Sequence, residues 1–466
     1  LIIRIPALRL TPLILAVALF MEQMDSTVIA TALPAIASDI GSDPIALKLA
    51  LTSYFVALAI FIPASGWIAD RFGAVNVFRA AIAVFMLGSL ACSLSYSLGS
   101  FVSARFLQGI GAAMMSPVGR MLLVRGTPKA ELVNAMAWLT IPALMGPVTG
   151  PLIGGFLTTY LSWHWIFWIN IPVGLIGIVL ATKYLQIPEV EAPGRLDFIG
   201  FLLSGLACAG LVLGLSIASL PALPPVLGVA MVAVGLVSGA LFVRRSLRRP
   251  VPLLDLRLLS RPMFRDATIA GFVFRIGLGA MPFLLPLMLQ LGFGLTPFQS
   301  GAITFVSALG AVVTKFFVAR VYGRFGLPRT LGVCALIAGA LTAVHGLFTP
   351  ETPWAAMMAV LLAAGVMRSM FFTGNNAFAF GDIDAPEAGH ASALTSVGQQ
   401  LSIASGVAVA GLILESLQAL TGEGLQLVHF HIAFAIVGAI SAVAGLLYLR
   451  LPSDAGADLA GKAPAH

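Results

Sequence analysis

Several charged side chains sit where this chain can least accommodate them. Glu22, Asp25, Arg105, Arg120, Arg275, Lys315 and Arg368 each interrupt an apolar run long enough to cross a bilayer. An ionised group there costs about 3 kcal/mol on insertion scales, so it faces a cavity, exchanges a proton or is paired. Glu22 and Asp25 lie about one helical turn apart and share a face. A carboxyl at that depth, able to be neutral or charged, can carry a proton as access alternates between two compartments. Two other uses stay open: a packing hydrogen bond from a neutral Asp, or a standing partner for a nearby arginine. The arginines suggest a second chemistry, because the planar guanidinium binds carboxylate and phosphate bidentately. They are candidates for holding an anionic or zwitterionic substrate, unless Arg275 and Arg368 only neutralise Glu22 and Asp25 and fix packing. Asn375 and Asn376, in "RSMFFTGNNAF", either line the mouth of such a site or bond to neighbouring helices. Lys315 lies about one turn inside the end of its run, can snorkel to the interface and is given no site role.

The rest of the chain offers no catalytic set. There is no phosphate-binding loop, no metal-ligand spacing and no nucleophile with a base. Cys92, Cys208 and Cys334 fall inside apolar segments as small core residues, and His429 and His431 flank the last apolar run as interfacial histidines. The expectation is a protein that is not an enzyme, holds no metal or cofactor and draws its energy from a proton gradient.

These charges must be positioned by membrane helices. Of 466 residues, 59% are hydrophobic and only 10% charged, with 48 Gly and 28 Pro, where a soluble domain is about a quarter charged. Membrane helices tolerate Gly and Pro because neighbouring segments satisfy the freed backbone groups. Apolar runs predict helices at 11–37, 48–68, 78–97, 101–124, 132–159, 163–184, 198–217, 223–243, 266–291, 298–319, 330–349, 354–379, 392–415 and 428–449, fourteen in all. Assigning Lys and Arg to alternate loops puts 20 on one face and Lys48 alone on the other. The basic face, with both termini, is then cytoplasmic. The net charge of +7 is topology and calls for no nucleic acid partner. The segment 244–265, "RRSLRRPVPLLDLRLLSRPMFR", reads as an amphipathic connector lying on anionic lipid.

A weak repeat divides the chain. "GWIADRFG" closes the second run and "ARVYGRFG" the tenth, each followed by basic residues. The implied order is a six-helix bundle at 1–190, a two-helix insert at 191–243, the connector at 244–265, a second six-helix bundle at 266–450 and a tail at 451–466. The insert carries no intramembrane charge and is expected to be peripheral. "MGPVTGPLIGG" places Gly146, Gly150 and Gly154 four residues apart, a small-residue face that lets two helix backbones approach closely. Pro147 and Pro151 bend the same helix. This is either a joint between the bundles or an ordinary packing seam.

Taken together, these stretches resemble the major facilitator superfamily and, within it, the fourteen-helix drug:proton antiporters. "LFMEQMDSTVIATALPAIA" is similar to the first-helix motif, with Asp25 and Pro34 in place; Glu22 is not part of it. "GWIADRFGAVNVFR" is similar to the signature between the second and third helices, carrying Gly66, Asp70, Arg71 and Gly73, and "ARFLQGIGAA" resembles the fourth-helix motif. "MGPVTGPLIGG" resembles the fifth-helix antiporter motif, and "SWHWIFWINIPVG" the entry to the sixth helix. The resemblance implies alternating access with export by antiport. It also implies that Glu22, Asp25, Arg105, Arg275 and Arg368 face one chamber between the bundles, and that Asp70 and Arg71 act as a conformational latch, if they are not merely topogenic charges. The expected protein is a monomer in a bacterial cytoplasmic (inner) membrane that exchanges protons for small amphipathic compounds or drugs. The alternatives are an exporter of small organic anions such as polycarboxylates or their metal chelates and, more remotely, a membrane receptor or enzyme that transports nothing.

Overall fold

The computed structural model describes residues 7–128, 131–185, 194–220, 223–384, 387–422 and 424–452; the loop charges Arg4, Lys129 and Lys462 and most of the 451–466 tail lie outside the described residues. Among those described there is no strand, and fourteen helices are long and apolar enough to span a membrane. They are α1 (Thr11–Asp39), α2 (Lys48–Phe72), α3 (Ala74–Ser93), α4 (Leu98–Gly126), α5 (Asn134–Tyr160), α6 (Trp165–Tyr184), α7 (Phe198–Ala218), α8 (Pro225–Arg248), α9 (Pro262–Gly292), α10 (Pro297–Thr314), α11 (Leu327–His345), α12 (Trp354–Ala379), α13 (Ala388–Thr421) and α14 (Leu427–Leu449). Large apolar side chains such as Ile176, Val179, Val229 and Leu236 face outward and are exposed, as a lipid-facing surface requires.

The helices are interrupted where the sequence has reason to interrupt them. α1 tightens into a 3-10 turn at Ile29–Ala32 and resumes at Leu33, with Pro34 in the first turn, where its missing N–H costs nothing. α9 contains Pro282 and Pro286 and ends in a π-turn, Met288–Gly292. The two "RFG" stretches adopt one backbone geometry. Gly73 and Gly326 both have positive φ, 85° and 81°, so each ends one helix and starts the next without a loop, a conformation that favours glycine. The stretch around Gly326 does not close α10, as expected, but forms a separate short helix, Val318–Phe325. The expected membrane-lying connector is also different. α8 continues to Arg248, and only a short bend and a 3-10 turn, Leu256–Ser260, precede α9. Its arginines are partly engaged by acids, with Arg261 bonded to Glu387 and Asp384 and Arg257 to Asp255.

α1 to α6 pack among themselves, as do α9 to α14. Two seams join the groups, α5 against α10 and α2 against α13, related as the second and fifth helices of each half. α7 and α8 pair with each other, and α7 lies against both α2 and α13. The insert therefore covers a seam rather than standing apart. At the end away from the arginine-rich loops, called here the far end, one apolar core is shared by both halves, including Ile29, Leu33, Phe101, Phe283, Leu287 and Phe434. Toward the basic end there are two cores, one around Leu15, Phe78 and Leu122 within the first half and another around Phe264, Leu331 and Phe371, which Val56, Ala59 and Ile60 of α2 and Cys208 and Val212 of α7 join. α9 and α10 meet α1 at its 3-10 turn. The halves close on each other at the far end and part toward the basic end.

Gly146, Gly150 and Gly154 turn to α1. A Cβ at Gly146 would lie 2.8 Å from the Met24 backbone nitrogen, and Cβ atoms at Gly150 and Gly154 would strike Thr27 Oγ1 and the Val28 carbonyl. The neighbouring face of α5 meets the other half. There Gly155 touches the Pro297 carbonyl, and Gly301 of α10 touches that of Pro151. One motif thus serves a fixed contact within a half and a contact between halves. Gly150→Val should force α1 and α5 apart, lowering thermal stability in detergent by roughly 1–3 kcal/mol and reducing transport; wild-type melting and transport would show the contact to be looser than the geometry indicates.

Candidate functional site

α1 places Asp25 at the centre of the first half, where it is 0% exposed. α4 brings Arg105 and Gln108, three residues apart on one helical face. Arg105 Nη1 donates to Asp25 Oδ2 at 2.6 Å, and Gln108 Nε2 donates to Oδ1 at 2.8 Å. Asn170, where α6 resumes after Trp168, donates to the same Oδ1 at 3.0 Å and to Ser89 Oγ at 3.0 Å. Tyr54 of α2 lies under the guanidinium, 4.3 Å from ring centroid to Cζ. Asp25 is therefore compensated by a full positive charge and two amide donors, the arrangement that lets an ion pair persist without water.

Glu22 is different. It is 5% exposed, its Oε2 has no hydrogen-bond partner, and its polar neighbours on α4 are Ser116 and Arg120. Arg120 itself is exposed. The carboxyl that the first-helix motif does not contain is thus the incompletely satisfied one.

The second half holds arginines without acids. Arg275 is 5% exposed, and its guanidinium stacks on Phe372 at 4.9 Å. Gly271, one turn earlier on α9, makes room for it: a Cβ there would lie 2.9 Å from Arg275 Nη1 and 2.8 Å from Asn375 Nδ2. Asn375 is held by the Tyr448 hydroxyl, which donates to its Oδ1 at 2.7 Å. Arg368 donates to Ser307 Oγ. Neither arginine makes an ion pair among the described residues, and Asp25 is taken by Arg105 instead. The reading in which Arg275 and Arg368 neutralise Glu22 and Asp25 is therefore corrected.

At the basic end, Asp70 pairs with Arg125 of α4 at 2.7 Å, inside the first half. Arg71 is exposed, and Gly66 lies 3.8 Å from Met121 by its notional Cβ. The corresponding stretch of the second half has Gly323 in place of Asp70. At the start of α7, Asp197 caps the helix through the Gly200 N–H and takes Arg245 at 2.8 Å. Burial alone raises its carboxyl, but these bonds and the nearby Arg249 outweigh it and hold the group below the usual carboxylate range.

Sequence reasoning missed one site entirely. Lys48, read as a lone charge on the far face, is 0% exposed and forms an ion pair with Glu415 of α13. A single basic residue opposite twenty was the available signal. His429, expected at the interface, is 1% exposed and accepts the Gln426 N–H through Nδ1 at the start of α14.

Known proteins are similar to this chain in sequence and in fold. A family model described as the Major Facilitator Superfamily matches residues 15–203 and 267–465, leaving out most of the insert and the connector. The "Putative multidrug resistance protein MdtD" of Pectobacterium atrosepticum is 36% identical over 445 residues, covering 95% of each chain. The protein of that name from Salmonella typhimurium is 36% identical over 95% of this chain and 94% of its own. A D-xylose-proton symporter superposes with a TM-score of 0.69 at 14% identity, covering 96% of this chain and 98% of that one. A POT family transporter solved with 5-aminolevulinic acid gives 0.70 at 16% identity, covering 94% of each. At these identities the solved structures speak for the fold alone.

The buried pair makes a direct prediction. Asp25→Asn leaves Arg105 buried without its counter-charge, so it should cost about 3–5 kcal/mol of stability, seen as early thermal unfolding in detergent. Asp25→Asn combined with Arg105→Gln should recover part of that loss. A single variant as stable as wild type would mean that the pair is not the keystone its geometry implies.

Proposed function

The chain belongs to the Major Facilitator Superfamily, and from that premise we propose that it is a proton-coupled antiporter exporting small amphipathic compounds across a bacterial cytoplasmic membrane. As a member it is a multi-pass membrane transporter and not an enzyme. The basic end is cytoplasmic by the positive-inside rule, which makes the closed far end external and the described state inward-facing. The relatives' bacterial sources and their multidrug name support the membrane and the substrate class. The chain works as a monomer, because the pathway lies between its own halves.

Coupling rests on Glu22. Asp25 is locked by Arg105, Gln108 and Asn170, whereas Glu22 has an unpartnered carboxylate oxygen beside the cytoplasm-facing Arg120. Such a group is the one whose protonation costs the surroundings least and whose release of a proton is answered by a nearby cation. Asp25 then holds the electrostatic frame. Asp70, Arg71 and the adjoining Gly73 turn serve as the latch of the outward-facing state, in which Asp70 exchanges Arg125 for a partner on the second half.

A second reading, export of small organic anions such as polycarboxylates or their metal chelates, is favoured by Arg275. It is a buried guanidinium with no acid among the described residues, beside a positioned Asn375. Cation export for one proton is electrically neutral, but anion export with proton entry moves charge in the direction the membrane potential favours, by about 2.3 kcal/mol per charge per 100 mV.

Proteoliposomes separate the readings. Glu22→Gln should abolish export driven by a pH gradient while keeping counterflow of labelled substrate; normal gradient-driven export would transfer the coupling role elsewhere. Substrate-dependent current, with affinity for di- or tricarboxylates lost at least tenfold in Arg275→Gln and Arg368→Gln, would establish the anion reading. Movement of lipophilic cations alone, with both variants unimpaired, would leave the drug reading.

A further inference from the structure

Lys48, Glu415 and Ser219 bring three separate units of the chain to one buried point. Lys48 opens α2 in the first half, Glu415 lies near the far end of α13 in the second, and Ser219 directly follows α7 of the insert. Lys48 Nζ is bonded to Glu415 Oε2 and donates to Ser219 Oγ at 2.7 Å. The lysine stem reaches its partner through a groove that only glycine leaves open. Gly411, one turn before Glu415, has no side chain where the lysine passes, and a Cβ there would overlap Lys48 Cδ. Ala46, Leu49 and Leu220, with Leu98, Val102 and Ile217 around them, form a small apolar cluster beside the pair. Two weaker links flank the same closure: Gln290 Nε2 donates to the Thr31 carbonyl at 2.8 Å, and the Phe298 N–H donates to Thr159 Oγ1 at 3.0 Å.

We propose that Lys48, Glu415 and Ser219 are the gate that shuts the far end of the pathway, and that the insert takes part in gating through Ser219. The inference rests on the alternating-access reading, since the far end must open for release. Opening separates α2 from α13, which breaks the ion pair and returns both charges to water. The pair holds the closed state only while it is dry, and the apolar cluster and the insert keep it so. Removing one partner leaves a buried charge that is better hydrated with the gate open, so either single change shifts the population outward. This gives the insert a task that its lack of intramembrane charge does not suggest.

The test reads accessibility and needs neither substrate nor gradient, so it can fail independently of the transport reading. With Cys92, Cys208 and Cys334 replaced by Ala, a reporter at Ala32→Cys, 0% exposed in the shared far-end core, is labelled from outside with a membrane-impermeant maleimide. Lys48→Met and Glu415→Gln should each label about tenfold faster than the parent, Ser219→Ala in the same direction but less, and the exchanged pair Lys48→Glu with Glu415→Lys should return toward the parent rate. Should the charge variants fail to fold, Gly411→Ala displaces the lysine without altering either charge and should also speed labelling. Parent-like rates in these variants, or fast labelling that the exchanged pair does not slow, would overturn the gate. A parent-like Ser219→Ala would overturn the part assigned to the insert.

Discussion

A charge in a medium of low dielectric constant must be compensated where it stands, and the whole interior follows from that constraint. Asp25 meets it most completely, with Arg105, Gln108 and Asn170 arranged around two carboxylate oxygens. Those partners come from α4 and α6, so satisfying one carboxylate fixes the mutual placement of three helices. Tyr54 adds α2 through its ring. The first half is built around an ion pair that an apolar substitution of both partners could replace in energy, though not in the orientation it imposes.

The two halves meet the same constraint differently. The first contains acids and bases in near balance. The second holds Arg275 against the Phe372 ring and Arg368 against Ser307, with no ion pair to either among the described residues. Glu22 is the counterpart on the other side, an acid with one oxygen unanswered. Incomplete compensation is costly to folding, and it is on these groups that the proposed exchange of ions rests.

The helices meet in more than one way. Glycine permits the closest approaches: Gly146, Gly150 and Gly154 bring α5 against the backbone of α1, while Gly155 and Gly301 set α5 against α10, where Phe298 also packs on Phe156 and Tyr160. At the far end the halves are also joined by a shared apolar core and the Lys48–Glu415 pair.

The sequence by itself determined the number of spans and most of their limits, because twenty apolar residues in water have few alternatives to a membrane helix, and it determined the repeat, because Gly73 and Gly326 are needed at the same positive φ. It also identified Asp25, Arg105, Arg275 and Arg368 as exceptional, since any charge in such a run is costly. It could not say which charge answers which. Asp25 is 80 residues from Arg105 and Lys48 is 367 from Glu415, and local periodicity carries no information across such separations. Lys48 looked like a surface charge because its run begins there; only the packing of α7 and α13 over it made it a buried one. Pairing was decided by tertiary structure, because compensation depends on distance in space and the sequence specifies distance only along the chain.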